Sequence, residues 1–224
     1  MRRAAWLCAP LAAAIAGAAP DARTREKTRY VVAAIGDSLT DEKVGGGKYL
    51  EVLRERCPES VFLARGKGGE MVNQMKKRLP GALFGAGMPR LDHVIVLGGV
   101  NDLYSDQTAG RTPEKVERDL SAMYREARLR GAKIVAVTVA PWGGFKRYWS
   151  EKRQRDTDAL NEWIRGQKAG GAVDHVVDAA DVLKGEPRER LCDGCGQKDG
   201  LHWTKAGHQR LGAALHAAVF SDCR

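Results

Sequence analysis

The segment Tyr30-Val31-Val32-Ala33-Ala34-Ile35-Gly36-Asp37-Ser38-Leu39-Thr40 decides the fold that we predict. Its first part carries no charge and is rich in β-branched residues, which is typical of a strand buried on both faces of a parallel sheet. The strand ends directly in Gly36-Asp37-Ser38, residue types that are also common in plain turns. In a parallel sheet this turn lies at the carboxyl edge, where functional sites of such folds are found.

The rest of the chain repeats this pattern, because short β-branched runs alternate with longer segments of helical period. We predict strands at Tyr30–Ile35, Val61–Ala64, His93–Leu97, Lys133–Val139 and His175–Val177. We predict helices at Lys48–Arg56, Glu70–Arg78, Pro113–Arg130, Ser150–Gln167 and Lys205–Phe220. The alternation predicts an α/β fold, a flavodoxin-like three-layer α/β/α sandwich with a five-stranded parallel sheet of order 2-1-3-4-5.

The N-terminus has the pattern of a secretory signal peptide. Met1-Arg2-Arg3 precedes an apolar, alanine-rich run that ends near Ala18 and is shorter than a membrane-spanning helix requires. We therefore expect a signal peptide at residues 1–18, a single domain at residues 19–224, and an exported protein that is periplasmic or secreted.

The net charge of the chain indicates what kind of surface it can contact. Removal of Arg2 and Arg3 without any acid lowers the formal net charge from +9 to +7. A basic protein favours transient contact with anionic envelope surfaces. The basic residues are scattered as on ordinary solvated helix faces, so we expect no nucleic-acid partner, and we expect a monomer.

Two further turns follow the strands that flank the first. Gly98-Gly99-Val100-Asn101-Asp102 follows the third strand, and the Asn101 amide there can donate to developing negative charge, although Asn-Asp is also an ordinary helix cap. Gly66-Lys67-Gly68-Gly69-Glu70 follows the second strand, and Gly69 can offer a backbone N–H to a substrate oxygen. Both donors are expected beside Ser38.

The fourth motif is Asp199-Gly200-Leu201-His202, just before the last helix. A carboxylate three residues before an imidazole can fix its tautomer and leave the other ring nitrogen to take a serine proton. Because the fifth strand is distant from the first, the chain between Ala179 and His202 must return across the sheet edge. A loop of this length is usually functional.

These four motifs, in this order and on these elements, resemble the SGNH/GDSL hydrolase superfamily over nearly the whole mature chain. The resemblance implies Ser38 as nucleophile, His202 as base and Asp199 as its partner. It also implies an oxyanion hole made by the Ser38 amide, Gly69 and Asn101. The mechanism it implies is acyl transfer through an acyl-enzyme, with no cofactor and no metal. Arg65 departs from the asparagine that many members carry before the glycines.

The sequence predicts the reaction more narrowly than it predicts the substrate. Trp142, in the loop after the fourth strand, and Trp203, beside His202, are candidate substrate-binding residues, although core packing is an equal alternative for both. We expect a small-molecule, lipid or glycan ester substrate, with an esterase, lipase, lysophospholipase or thioesterase activity. A carbohydrate O-acetylesterase acting on envelope or plant polysaccharide is the alternative. A non-catalytic envelope- or glycan-binding domain is the alternative of another class.

Four cysteines of the mature chain allow three pairings in an oxidising compartment. The first and last helices are expected to share a sheet face, which favours Cys57 with Cys223 and leaves Cys192 with Cys195. The second pair could instead be a redox pair or half of a zinc site. A bridge that stiffens the loop carrying Asp199 and His202 is the interpretation that we favour.

Overall fold

A computed structural model of the chain describes Met1 and residues 28–224. The predicted signal peptide therefore lies, apart from Met1, outside the described residues. The sheet has five parallel strands in the order β2-β1-β3-β4-β5, which confirms the predicted fold. The strands are β1 (Val31–Gly36), β2 (Val61–Gly66), β3 (His93–Leu97), β4 (Lys133–Val137) and β5 (His175–Val177).

The five predicted helices are all present, with small changes at their ends. The α-helices are α1 (Lys48–Arg56), α2 (Val72–Phe84), α3 (Val100–Tyr104), α4 (Asp106–Ala109), α5 (Pro113–Leu129), α6 (Glu151–Gly166), α7 (Ala179–Val182) and α8 (Lys205–Val219). The largest change is in α2, which begins after Glu70 and continues through Pro80. Leu79 and Leu83 extend its buried stripe, so core packing outweighs the cost of an internal proline.

Both faces of the sheet are covered, and β1 contributes to both cores. Ala33 and Ile35 lie in the core beneath α2, α5 and α6, whereas Val32 and Ala34 lie in the core beneath α1 and α8. All four side chains are fully buried. This two-sided burial explains why the strand reads as a continuous apolar run, and it fixes the direction in which Ser38 leaves the sheet.

Both expected disulfides are present. Cys57, which follows α1, is bonded to Cys223, 166 residues away, so the bridge joins α1 to the C-terminal end of the chain. Cys192 is bonded to Cys195, three residues away. Among residues 28–224, the helices are all too short or too polar to cross a bilayer.

The two bridges should contribute very differently to stability. Cys57→Ser/Cys223→Ser releases a long loop in the unfolded chain and should lower the free energy of unfolding by about 2–5 kcal/mol. Cys192→Ser/Cys195→Ser releases a very short loop and should have a clearly smaller effect. Urea unfolding followed by circular dichroism measures both values, and an equal loss in the two variants would contradict this assignment.

Candidate active site

Ser38 lies in a tight turn at the carboxyl end of β1. The backbone carbonyl of Asp37 accepts from the N–H groups of Thr40 and Asp41, both at 3.0 Å, and the Asp37 carboxylate accepts from the Leu39 N–H at 2.9 Å. These bonds bend the chain sharply and leave the Ser38 side chain half-buried at the edge of the sheet. The turn therefore presents the hydroxyl group while its own backbone is held.

Ser38, His202 and Asp199 form one continuous chain of hydrogen bonds. The Ser38 Oγ lies 2.8 Å from His202 Nε2, and His202 Nδ1 lies 2.6 Å from Asp199 Oδ2. Burial raises the pKa of Asp199, but hydrogen bonds from the His202 ring and from the Leu201 and His202 N–H groups outweigh it and keep that pKa below its usual value. An ionised Asp199 only accepts, so Nδ1 carries the ring proton and Nε2 is left to accept from Ser38.

A small hairpin holds the two ends of the Asp199–His202 motif together. Gly196 pairs with Trp203 across it, and the Gln197 N–H donates to the His202 carbonyl at 2.8 Å. At its base, the Thr204 N–H donates to the Cys195 carbonyl at 2.9 Å. The disulfide joins Cys195 to Cys192 directly below this hairpin, which leaves neither sulfur as a thiolate ligand for zinc.

Three candidate hydrogen-bond donors, from Ser38, Gly69 and Asn101, lie at the same edge of the sheet. The N–H groups of Ser38 and Gly69 have no acceptor among residues 28–224. Gly69 has a φ of +76° in a turn closed by the bond from the Glu70 N–H to the Lys67 carbonyl, a backbone conformation that favours glycine. Asn101 Nδ2 donates one hydrogen to the Glu70 carbonyl at 2.8 Å and has a second one free. All three predicted oxyanion donors thus lie at the same edge.

An open cleft of about 380 Å³ lies over these groups. Ser38, Gly69, Asn101 and His202 all line it, and Tyr104 and Gln197 are among the other lining residues. The predicted nucleophile, base and donors are therefore brought together at one solvent-accessible place.

Two much smaller cavities, of about 10 Å³ each, lie beside the cleft. One is lined by Asp37, Leu97 and Trp142 among others, and the second by Ser38, His202 and His208 among others. A volume of this size holds about one water molecule.

Trp142 and Trp203, the two candidate substrate-binding residues, are buried in this structure. The two residues are only 1% and 2% exposed, respectively. The Trp142 Nε1–H donates to Thr157 Oγ1 at 3.0 Å, and the Trp203 ring packs edge-on against His208. Both rings pack in the core, the alternative considered for them, and both also line the small cavity that contains Asp37.

Two buried titratable residues near Ser38 were not recognised from the sequence. Burial raises the pKa of Asp37 to about 7, and burial lowers the pKa of His208 to about 4. Asp37 Oδ2 and His208 Nδ1 are buried without a hydrogen-bond partner in the described part of the chain. The helical spacing of His208 from Leu211 and Leu215 was a signal of its burial, whereas nothing in the Gly36-Asp37-Ser38 turn separated a buried Asp37 from an exposed one.

The amino-acid sequence matches one known family of proteins. A family model described as the GDSL-like Lipase/Acylhydrolase family matches residues 34–210. Among curated proteins, none matches the chain.

Solved structures with a similar fold include a GDSL-like lipase from Bacteroides thetaiotaomicron VPI-5482, with 17% identity, a TM-score of 0.70 and coverage of 84% of this chain and 86% of that chain. The acetyl xylan esterase AlAXEase has 21% identity, a TM-score of 0.68 and coverage of 84% and 99%. A catalytic mutant of the acetylxylan esterase Axe2 from Geobacillus stearothermophilus has 18% identity, a TM-score of 0.68 and coverage of 87% and 96%. At these identities the likeness shows the fold alone.

The raised pKa of Asp37 predicts a specific pH dependence of stability. Between its ordinary pKa of 3.8 and about 7, the folded protein keeps a proton that the unfolded chain releases. The stability that protonated Asp37 contributes is therefore complete below pH 3.8, and it is lost as the pH rises towards 7. Asp37→Asn does not titrate, so its stability relative to wild type should rise over this range, by up to about 1.4 kcal/mol per pH unit.

Urea unfolding of both proteins at pH 5, 6, 7 and 8 measures this difference. Asp193→Asn, which changes an exposed carboxylate, is the matched control. A difference between Asp37→Asn and wild type that stays constant across these pH values would contradict the raised pKa.

Proposed function

We propose that this chain, which belongs to the GDSL-like lipase/acylhydrolase family, is an exported serine ester hydrolase in which Ser38 is the nucleophile and His202 and Asp199 are its base and orienting acid. Hydrolysis of ester bonds is the activity of the family. The observation that carries the residue assignment is the continuous hydrogen-bond chain from Ser38 through His202 to Asp199, with distances of 2.8 and 2.6 Å.

Acylation begins when the Ser38 oxygen attacks the ester carbonyl carbon. His202 Nε2 takes the hydroxyl proton, and the imidazolium is stabilised by Asp199 on the other side of the ring. Collapse of the tetrahedral intermediate breaks the bond to the alcohol, which leaves with the proton from His202. A water molecule then repeats the sequence on the acyl-enzyme, releasing the acid and restoring Ser38.

The free N–H groups of Ser38 and Gly69 and the second N–H of Asn101 serve as donors to the oxyanion. Each donor is held in place before substrate binds, so little reorganisation accompanies the development of charge. Loss of one such donor typically slows turnover by about 10²–10³-fold.

The space around Ser38 favours a short acyl group. The two small cavities that share lining residues with the cleft have room for about one water molecule or a methyl group each. Trp142 and Trp203 are almost fully buried, and both rings line one of these cavities, so they limit its size. The open cleft, by contrast, offers ample room for a bulky alcohol.

A carbohydrate O-acetylesterase is the second candidate, and the same cavity sizes favour it within the broader proposal. The cleft combines an aromatic ring, Tyr104, with polar groups such as Gln197, which suits a sugar more than a hydrocarbon chain. Two proteins of similar fold carry the name acetylxylan esterase. Export is supported by the N-terminal pattern of residues 1–18 and by two disulfides.

Replacement of Ser38 tests the reaction class. Mature Ser38→Ala should lose at least about 10³-fold in kcat for p-nitrophenyl acetate, because no acyl-enzyme can form. Circular dichroism verifies that the variant is folded, and Ser121→Ala, at an exposed serine on α5, is the matched control. Equal turnover by Ser38→Ala and wild type would reject the proposed nucleophile, and absence of turnover in wild type would favour a binding domain.

Acyl-chain length tests the substrate proposal. Across p-nitrophenyl esters from acetyl to palmitoyl, kcat/KM should be highest for acetyl and should fall at least about tenfold by octanoyl, since the two small cavities beside the cleft have no room for additional methylenes. Acetate release from acetylated xylan, measured in parallel, reports on the carbohydrate candidate. A preference for octanoyl or palmitoyl esters would instead favour the lipase or lysophospholipase activity.

A further inference from the structure

We propose that Arg78 and Glu70 form a positioning pair that holds the oxyanion donors in register with Ser38. Neither residue is among those that line the cleft. The inference rests on the proposed function. Arg78 lies on α2, and Glu70 directly follows Gly69 in the turn after β2. The pair links three separate segments whose relative placement determines where the donors point.

Arg78 joins the ends of two neighbouring strands. Its Nη2 donates to the Arg65 carbonyl at 2.8 Å and to the Gly36 carbonyl at 3.2 Å. Gly36 is the last residue of β1, two positions before Ser38, and Arg65 is near the end of β2. Its Nε donates to Glu70 Oε2 at 2.5 Å. One planar guanidinium therefore fixes the start of the Ser38 turn relative to the turn that carries Gly69.

Glu70 acts at both its backbone and its side chain. Its carbonyl accepts from Asn101 Nδ2 at 2.8 Å, which orients the amide and directs its second N–H. Its carboxylate is buried, with 8% of the side chain exposed, and is held by Arg78. Lys67 Nζ, at 3.8 Å, is a second and mostly exposed cation. Without Arg78, a buried carboxylate would lose its close partner, and the turn would have to move it towards solvent.

This movement would displace two donors at once. Gly69 immediately precedes Glu70, and Asn101 is anchored on the Glu70 carbonyl. A donor displaced by about 1 Å can cost about 10²-fold in rate even when the substrate still binds. The pair should therefore affect kcat more than KM, because the donors act mainly on charge that develops in the transition state.

The test compares Arg78→Ala, Arg78→Lys and Glu70→Gln with Lys77→Ala, a change at an exposed residue on the same helix. Enzyme concentrations are set by titrating active sites, so that loss of folded protein is separated from slower turnover.

We expect kcat for p-nitrophenyl acetate to fall about 30- to 100-fold in Arg78→Ala, with KM changed less than about threefold. Arg78→Lys should recover only part of this loss, because an ammonium cannot reproduce the planar fork. Glu70→Gln should lose about three- to tenfold, because the backbone carbonyl remains.

A boronic acid inhibitor gives an independent measure of the oxyanion hole. Phenylboronic acid forms a tetrahedral adduct with a nucleophilic serine, and one of its oxygens mimics the oxyanion, so its Ki should rise in Arg78→Ala in proportion to the loss in kcat/KM. The pH dependence of kcat/KM should keep its shape, since the base is unchanged.

Two results overturn the inference. Arg78→Ala with a lower melting temperature and fewer titratable sites, but an unchanged kcat per site, would make Arg78 merely structural. An unchanged Ki for phenylboronic acid alongside reduced kcat would place the defect outside the oxyanion hole. Full activity of Ser38→Ala would instead reject the proposed function itself, so the two failures are distinguishable.

Discussion

The contact between the Ser38 hydroxyl and His202 joins residues 164 positions apart, and the rest of the structure is arranged around it. Ser38 follows β1, whereas the segment that carries His202 follows β5, three strand positions away in the sheet. With strands about 4.8 Å apart, the chain must return across about 14 Å of the sheet edge. A 2.8 Å hydrogen bond at the end of such a path requires that the chain between Ala179 and His202, the return segment, has a defined shape.

The return segment obtains this shape from its own backbone rather than from a large core. Lys184 pairs with Leu191 and Gly196 pairs with Trp203, so two short hairpins follow one another. The Cys192–Cys195 bridge lies between them. The loop after β4 supports them, since a side chain at Gly200 would overlap the backbone of Gly144. The conformational entropy of ordering Asp199 and His202 is therefore lost during folding and not during substrate binding.

The sheet order could be predicted because apolar strands and amphipathic helices have distinct periods, and their alternation is typical of this fold. Since β1 and β3 are neighbours in that order, Ser38 and Asn101 lie at the ends of adjacent strands. The sequence was insufficient for Trp142 and Trp203, because a loop carries no period that separates an inward ring from one at the surface. The burial of His208 could have been predicted, because it precedes the inward-facing Leu211 and Leu215 by three and seven residues and so lies on the same face of α8. The α2 boundaries moved because packing of Leu79 and Leu83 outweighs a proline, a balance that local propensity does not express.

Three buried carboxylates, those of Asp37, Glu70 and Asp102, lie near the carboxyl edge of the sheet. Two of them are paired with an arginine, and Asp37 is not. Asp102 accepts from Arg111 Nε at 2.7 Å, and Glu70 accepts from Arg78, so both negative charges are compensated. Asp37 has backbone donors but no ion-pair partner among residues 28–224, and its pKa is raised to about 7 mainly by burial. A cation at Asp37 would stabilise the fold, but it would also oppose the positive charge that His202 acquires in the proposed reaction. The nearby His202 ring lowers the pKa of Asp37, but burial outweighs this effect. The ionised Asp37 carboxylate therefore costs stability once the pH exceeds its raised pKa, at a position directly before the nucleophile Ser38.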